Sequence, residues 1–181
     1  MSSVLSGVKI AMLVTDGFER PEMVDTRKGL QDAGATVTLI SPKFPKVKAL
    51  NHIEWADEFQ VDLPLEKARA ADFDAIVLPG GIINPDLLRI MPPAIKFIKD
   101  FVDAGKPIAA ICHGPWTLIE TGFVKGKKMT SWPSLKTDLI NAGANWVDQK
   151  VVVDGKFVTS RMPADIPEFN EAVIKMLSKK S

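Results

Sequence analysis

The chain has one cysteine, two histidines and no tyrosine among its 181 residues. A single thiol excludes an internal disulfide, which suits a reducing cytoplasm. One cysteine and two well-separated histidines, His52 and His113, give no metal-ligand spacing, so no metal is expected. The formal net charge of +1 supplies no electrostatic reason to expect a nucleic-acid partner. No apolar run is long enough to cross a bilayer, and no membrane partner is expected. The Ile10–Val14 run is too short for a signal-peptide core, and no cleavage pattern follows it. There is no G-x-G-x-x-G. Gly126-Lys127 and Gly155-Lys156 lack the upstream glycine and following Ser or Thr of a phosphate loop, so nucleotide chemistry is not expected. Repeats, low-complexity tracts and linkers are also missing.

What is present is the balance of a globular chain: 46% hydrophobic and 25% charged residues, with a length that suits one domain over residues 1–181. Apolar strands alternate with helical segments. Strands are expected at Val8–Val14, Thr36–Ile40, Ala75–Leu78 and in the run ending at Cys112. Helices are expected at Pro21–Ala33, with Met23, Val24, Arg27 and Leu30 as its stripe, at Pro92–Ala104, from Pro115 to near Gly122, at Ser134–Asn141 and after Ile166-Pro167. Residues 43–65 read as short extended pieces or a hairpin. Val151–Val153 and Phe157–Thr159 around Asp154-Gly155 read as a clear hairpin. The Lys-Lys-Ser tail at 179–181 reads as a solvated helix end. Continuous apolar strands separated by helices imply an α/β three-layer sandwich, a mostly parallel sheet with helices on both faces.

In such sheets, sites form beyond the strands' carboxyl ends. Three loops fall there, Thr15–Arg20, Pro79–Asp86 and Cys112–Trp116, and the polar residues of interest sit on all three. Cys112 follows Ile108-Ala109-Ala110-Ile111 and precedes His113-Gly114-Pro115-Trp116, the pattern of a nucleophile on a tight turn between strand and helix. A thiol facing the helix's amides should ionise more readily than a free one, whose pKa is roughly 8.5. The plain alternative is core packing, the usual fate of a lone cysteine after an apolar run. Glu19 is the candidate general acid/base, against a helix-capping role. Gly80 and Gly81, with the His113 amide, are candidate oxyanion donors, against an ordinary tight turn. Asp86 is a candidate to orient His113. Gly114 and Trp116 complete the candidate substrate-binding set, Trp116 as a pocket wall or as core. His52 could be surface or pocket.

Several of these segments together resemble the PfpI family, in the superfamily of the Parkinson-disease deglycase and the class I glutamine amidotransferases. They are Gly17-Phe18-Glu19, Val77-Leu78-Pro79-Gly80-Gly81, Asn84-Pro85-Asp86, Ala110-Ile111-Cys112-His113-Gly114-Pro115, Thr130-Ser131-Trp132-Pro133 and Asp138–Gly143, continuing to Val153-Asp154-Gly155 and Thr159-Ser160-Arg161. The resemblance implies a flavodoxin-like fold, a homodimer or dimer-built hexamer, and a stress-protective role in the cytoplasm. It implies Cys112 as nucleophile, His113 as its neighbour, Glu19 as the acid hydrogen-bonded to the thiolate, and Gly81 with the His113 amide as the oxyanion site. Asp86 takes the place of an acid that orients the histidine of an adjacent subunit. The implied activities are cofactor-free removal of methylglyoxal or glyoxal, repair of their early protein adducts, or peptide hydrolysis. A redox sensor or holdase acting through oxidation of Cys112 is the reading from another class. No histidine follows His113, so the amidotransferase branch is excluded.

Overall fold

The structure is a computed structural model and describes residues 3–178; the 179–181 tail lies outside the described residues. A seven-stranded sheet forms its middle layer. The strands are β1 (Lys9–Leu13), β3 (Thr36–Ser41), β6 (Leu63–Pro64), β7 (Ala75–Leu78), β8 (Ile108–Ile111), β11 (Val151–Asp154) and β12 (Phe157–Ser160), in the order β11-β12-β8-β7-β1-β3-β6. All pairs are parallel except β11 with β12. The expected α/β sandwich is therefore the observed one.

Period-two alternation sends each strand's side chains to two separate cores. Ile10, Met12 and Val14 join Val77 and Ile111 beneath α1 (Arg20–Asp32) and α6 (Ile166–Ser178), where Leu30, Phe169 and Val173 close the layer. Ala11 and Leu13 join Ile76, Leu78 and Ala110 on the other face. There α3 (Pro92–Asp103) contributes Phe97, Ile98 and Phe101, with α4 (Trp116–Ile119) and α5 (Lys136–Asn141) beside it.

The undecided 43–65 stretch is a hairpin of β4 (Lys46–Asn51) and β5 (Glu54–Gln60), turning at His52-Ile53 with His52 at φ 60°. It pairs with β2 (Phe18–Glu19) as a small second sheet that stands over the carboxyl end of β1. β9 (Lys128–Met129) and β10 (Asn145–Trp146) form a two-stranded third sheet, and α2 (Ile83–Leu88) follows the Gly80-Gly81 loop; none of these three short elements was expected. Two expectations need correction. The helix after Pro115 is one turn long and gives way to turns before Gly122. In the last hairpin Asp154 pairs with Phe157, so the turn is Gly155-Lys156 rather than Asp154-Gly155. Among the described residues no helix is long and apolar enough to cross a membrane.

Phe169 is fully buried where α6 meets the sheet. Phe169→Ala should cost about 3–5 kcal/mol, read as a lowered midpoint in urea unfolding; an unchanged midpoint would mean that α6 is not part of the cooperative core.

Candidate active site

Cys112 sits directly after β8 at φ 61°, a left-handed backbone that costs a non-glycine residue about 1–2 kcal/mol. Three backbone bonds hold it there. Its amide donates to Ser160 O at 3.0 Å, its carbonyl accepts from the Trp132 amide at 2.9 Å, and the Gly114 amide closes the turn onto Ile111 O at 2.9 Å. The turn lifts the sulfur off the sheet into a cavity of about 390 Å³ lined by Glu22, Gly81, His113 and Trp132, with Glu19, His52 and Ile53 at one side. A larger concavity of about 600 Å³ between α6 and β11 carries no nucleophile. We therefore take the smaller cavity as the site.

The carboxyl coupled to the thiol belongs to Glu22, not Glu19. Glu22 lies in the first turn of α1, fully buried; its Oε2 accepts the Gly80 amide at 2.7 Å. Its Oε1 is buried with no hydrogen-bond partner of regular geometry, and the carboxyl group interacts electrostatically with the Cys112 thiol. Glu19 points away, its two oxygens accepting the His52 amide at 3.2 and 3.1 Å. The reason lies in the phase of α1. The expected stripe was Met23, Val24, Arg27 and Leu30, whereas the buried residues are Glu22, Met23, Thr26 and Leu30. Val24 is half-buried, and Arg27 reaches outward to Asp62 at 2.6 Å. A carboxylate spaced four and eight residues before Thr26 and Leu30 was the signal available in the sequence.

Burial pushes Glu22 up to about 8, helped by the negative charge of Glu19. Burial pushes the Cys112 thiol up as well, and a charged Glu22 pushes it further. The Gly81 and His113 amides face the sulfur and pull the other way. The expectation of an easily ionised thiol is thus corrected: Cys112 is only 6% exposed, and α4 starts four residues later and is too short for its dipole to dominate. Two negative charges do not coexist here near neutrality, so the residues titrate as a pair.

His113 places Nδ1 3.3 Å from the sulfur, and burial lowers its pKa to about 4, so the ring is neutral at pH 7. Among the described residues no carboxylate hydrogen-bonds this ring. Asp86 is exposed in the first turn of α2, outside the cavity lining, and does not orient His113 within one chain. Trp132 stacks on the imidazole (5.8 Å, 22°) and lines the cavity. Trp116 meets the same ring edge-on at 5.8 Å from behind, its indole N–H bonded to Asp138 at 3.0 Å. The pocket wall is therefore Trp132, which the sequence reading did not single out.

The glycines divide their work. The Gly80 amide is committed to Glu22, so it is not an oxyanion donor, and a Cβ there would lie 2.7 Å from both Glu22 Oε2 and the His113 amide. Gly81, at φ 81°, would drive a Cβ to 2.4 Å from Gly17 O. Gly114 stands behind Cys112 as part of the turn. Asn84, another residue missed from sequence, is fully buried and joins the loops. It accepts the Thr15 amide at 2.7 Å and donates to the Pro79 and Gly80 carbonyls at 3.1 and 3.0 Å. Among the described residues no group of three His, Cys, Asp or Glu side chains converges to hold a metal ion.

A nucleophile elbow above a buried glutamate, on a parallel sheet with helices on both faces, defines a cysteine-centred protein of flavodoxin-like fold. Residues 8–176 match the DJ-1/PfpI family, and the chain belongs to that family. It is 43% identical over 169 residues to YraA of Bacillus subtilis (strain 168), covering 93% of this chain and 98% of that protein; its name provisionally assigns YraA to the cysteine proteases. It is 37% identical over 170 residues to Deglycase PH1704 of Pyrococcus horikoshii, covering 94% and 99% of the two chains. General stress protein 18 of Bacillus subtilis (strain 168) is 39% identical over 174 residues, covering 96% and 99%. The crystal structure of Drosophila melanogaster DJ-1beta superposes with a TM-score of 0.85 at 30% identity, covering 96% of this chain and 91% of that one. These names support a stress-related function for the family.

The raised pKa of Glu22 ties stability to pH. Its folded value of about 8 exceeds the model-peptide value of 4.5, so its contribution is full below 4.5 and is lost as pH rises through 8. Wild type should lose, relative to Glu22→Gln, on the order of a few kcal/mol between pH 5 and 9 in parallel urea titrations. Parallel curves for the two proteins would mean that Glu22 is ionised throughout.

Proposed function

We propose that this protein is a stress-protective, cysteine-dependent enzyme acting on methylglyoxal, glyoxal or their early protein adducts. What carries the reading is the buried Glu22 carboxyl beside the Cys112 sulfur at the floor of a small cavity. A group with a pKa near neutrality beside a nucleophile can both give and take a proton in one turnover.

The reactive form is the singly ionised pair. With methylglyoxal, sulfur adds to the aldehyde carbon: an S–C bond forms, the C=O π bond breaks, and the oxygen takes the proton of Glu22. The Gly81 and His113 amides hold the developing charge on that oxygen. Glu22, now a carboxylate, removes the hydrogen from the same carbon. It returns that proton to the neighbouring carbon while the hydroxyl proton passes to the second oxygen. The product is a lactate thioester, one carbon oxidised and the other reduced, so no external redox partner is required. Water then cleaves the S–C bond, giving one proton to Glu22 and its hydroxyl to the carbon, and the lactic acid released passes its carboxyl proton to solvent and leaves as lactate. In an early protein adduct the sulfur displaces the amine, which departs with the proton. His113 stays neutral throughout and supplies its amide and a wall of the cavity.

A cysteine peptidase is the second reading, favoured by the 3.3 Å contact between Cys112 Sγ and His113 Nδ1. It is weakened by the absence, among the described residues, of an acid to orient His113. Lactate formation from methylglyoxal without glutathione separates the two. Cys112→Ser should abolish it, Glu22→Gln should lower kcat roughly 10²–10⁴-fold, and the wild-type rate should climb as pH passes about 8. Full activity in Glu22→Gln overturns the proton shuttle. Peptide cleavage lost in Cys112→Ser, with no lactate from wild type, establishes the peptidase.

A further inference from the structure

We infer that the cavity mouth selects positively charged carbonyl compounds over anionic ones, with the Glu19 carboxylate and the Trp132 ring as the selecting pair. The proposal rests on the site assigned above and narrows its substrate class. The cavity lining includes two acidic side chains, Glu19 and Glu22, the latter protonated below about pH 8, and no lysine or arginine. Glu19 is buried, and among the described residues its only hydrogen-bond donor is the His52 amide. A carboxylate can accept about four hydrogen bonds, so one N–H leaves most of its capacity unfilled. Among the described residues no cation forms an ion pair with it. The nearby arginines are committed elsewhere: Arg20 to Asp57 at 2.7 Å, and Arg161, two residues from Pro163 of the cavity wall, to Asp165 and Asp148 at 2.9 Å each.

A second feature of the cavity points the same way. Trp132 is held by its stack on His113 and remains 37% exposed, leaving ring surface for a cation to approach. A carboxylate with unfilled hydrogen-bonding capacity and an exposed aromatic face on the lining of one cavity are the chemistry that receives a guanidinium or an ammonium group. Low-dielectric walls focus such a field and change encounter rates by about 10-fold or more. Carbonyl groups borne on arginine or lysine side chains would enter, while carboxylated or phosphorylated aldehydes would be held back.

Cys112 is the only thiol, so charge selection can be read on it without turnover. The protein would be labelled with a cationic (trimethylammonium-ethyl) and an anionic (sulfonato-ethyl) methanethiosulfonate, and adducts counted by mass. The ratio of the two rates would be normalised to the same ratio on a free small thiol. Wild type should give a normalised ratio of about 10 or more at low salt, falling toward one as salt screens the field. Glu19→Gln should lower it several-fold, Glu19→Asp should keep it, and Trp132→Leu should lower it in part. A wild-type ratio near one, or equal ratios in wild type and Glu19→Gln, overturns the proposal. If Glu19→Gln labels at free-thiol speed with both reagents it has unfolded, and the salt dependence of the wild-type ratio then decides. A persistent ratio without lactate formation removes the enzymatic reading alone; lactate formation with a ratio of one removes the charge selection alone.

Discussion

A carboxyl group buried against a thiol, the pair holding both protons until the pH passes about 8 and sharing one above it, is the constraint around which the rest of the site is arranged. Glu22 has no water to solvate its charge, and Cys112 has little. Each therefore depends on the other's proton and on backbone amides. The Gly80 amide fixes one carboxyl oxygen, and the Gly81 and His113 amides face the sulfur. A glutamate in bulk water would be fully ionised and inert as an acid, whereas here its affinity for a proton is raised into the range where it can cycle.

The scaffold exists to keep that arrangement rigid. Strand β8 ends at Ile111, and the bonds to Ser160, Trp132 and Ile111 pin a cysteine in a left-handed conformation that it would not adopt alone. Asn84 ties the loop after β7 to the loop after β1, so the glycine amides and α1 share one frame. The β4–β5 hairpin brings the His52 amide to Glu19, which fixes a second carboxylate at the side of the cavity. The fold thereby gives two glutamates three residues apart different environments. One carboxyl group is sealed against the sulfur, and the other rests on a hairpin turn at the mouth.

Much of this was legible in the residues. Continuous apolar strands, the glycine stops and the alternation of strand and helix gave the sheet and its two covered faces, and Cys112 with its Gly-Pro turn located the elbow. The errors came from angle rather than order. A helix turns 100° per residue, so choosing Val24 and Arg27 for its inner face moved Glu22 out of view and left Glu19, on the first loop, as the candidate acid. Asn84 and Trp132 were hidden for another reason. Their roles depend on contacts between loops distant in sequence, which periodicity does not encode. The outward face of Asp86 was hidden for the same reason that α2 was missed: a six-residue helix after a Gly-Gly loop carries too short a pattern to show its face.

The most direct measurement of the Glu22 proton is isotope-edited infrared difference spectroscopy of the glutamate carboxyl groups across pH 5 to 10, in wild type and in Glu22→Gln. A protonated-carboxyl band present at pH 6, lost with a midpoint near 8 and absent from the variant, is the expected result. A Glu22 band already fully ionised at pH 6 would contradict the buried pair and the chemistry built on it.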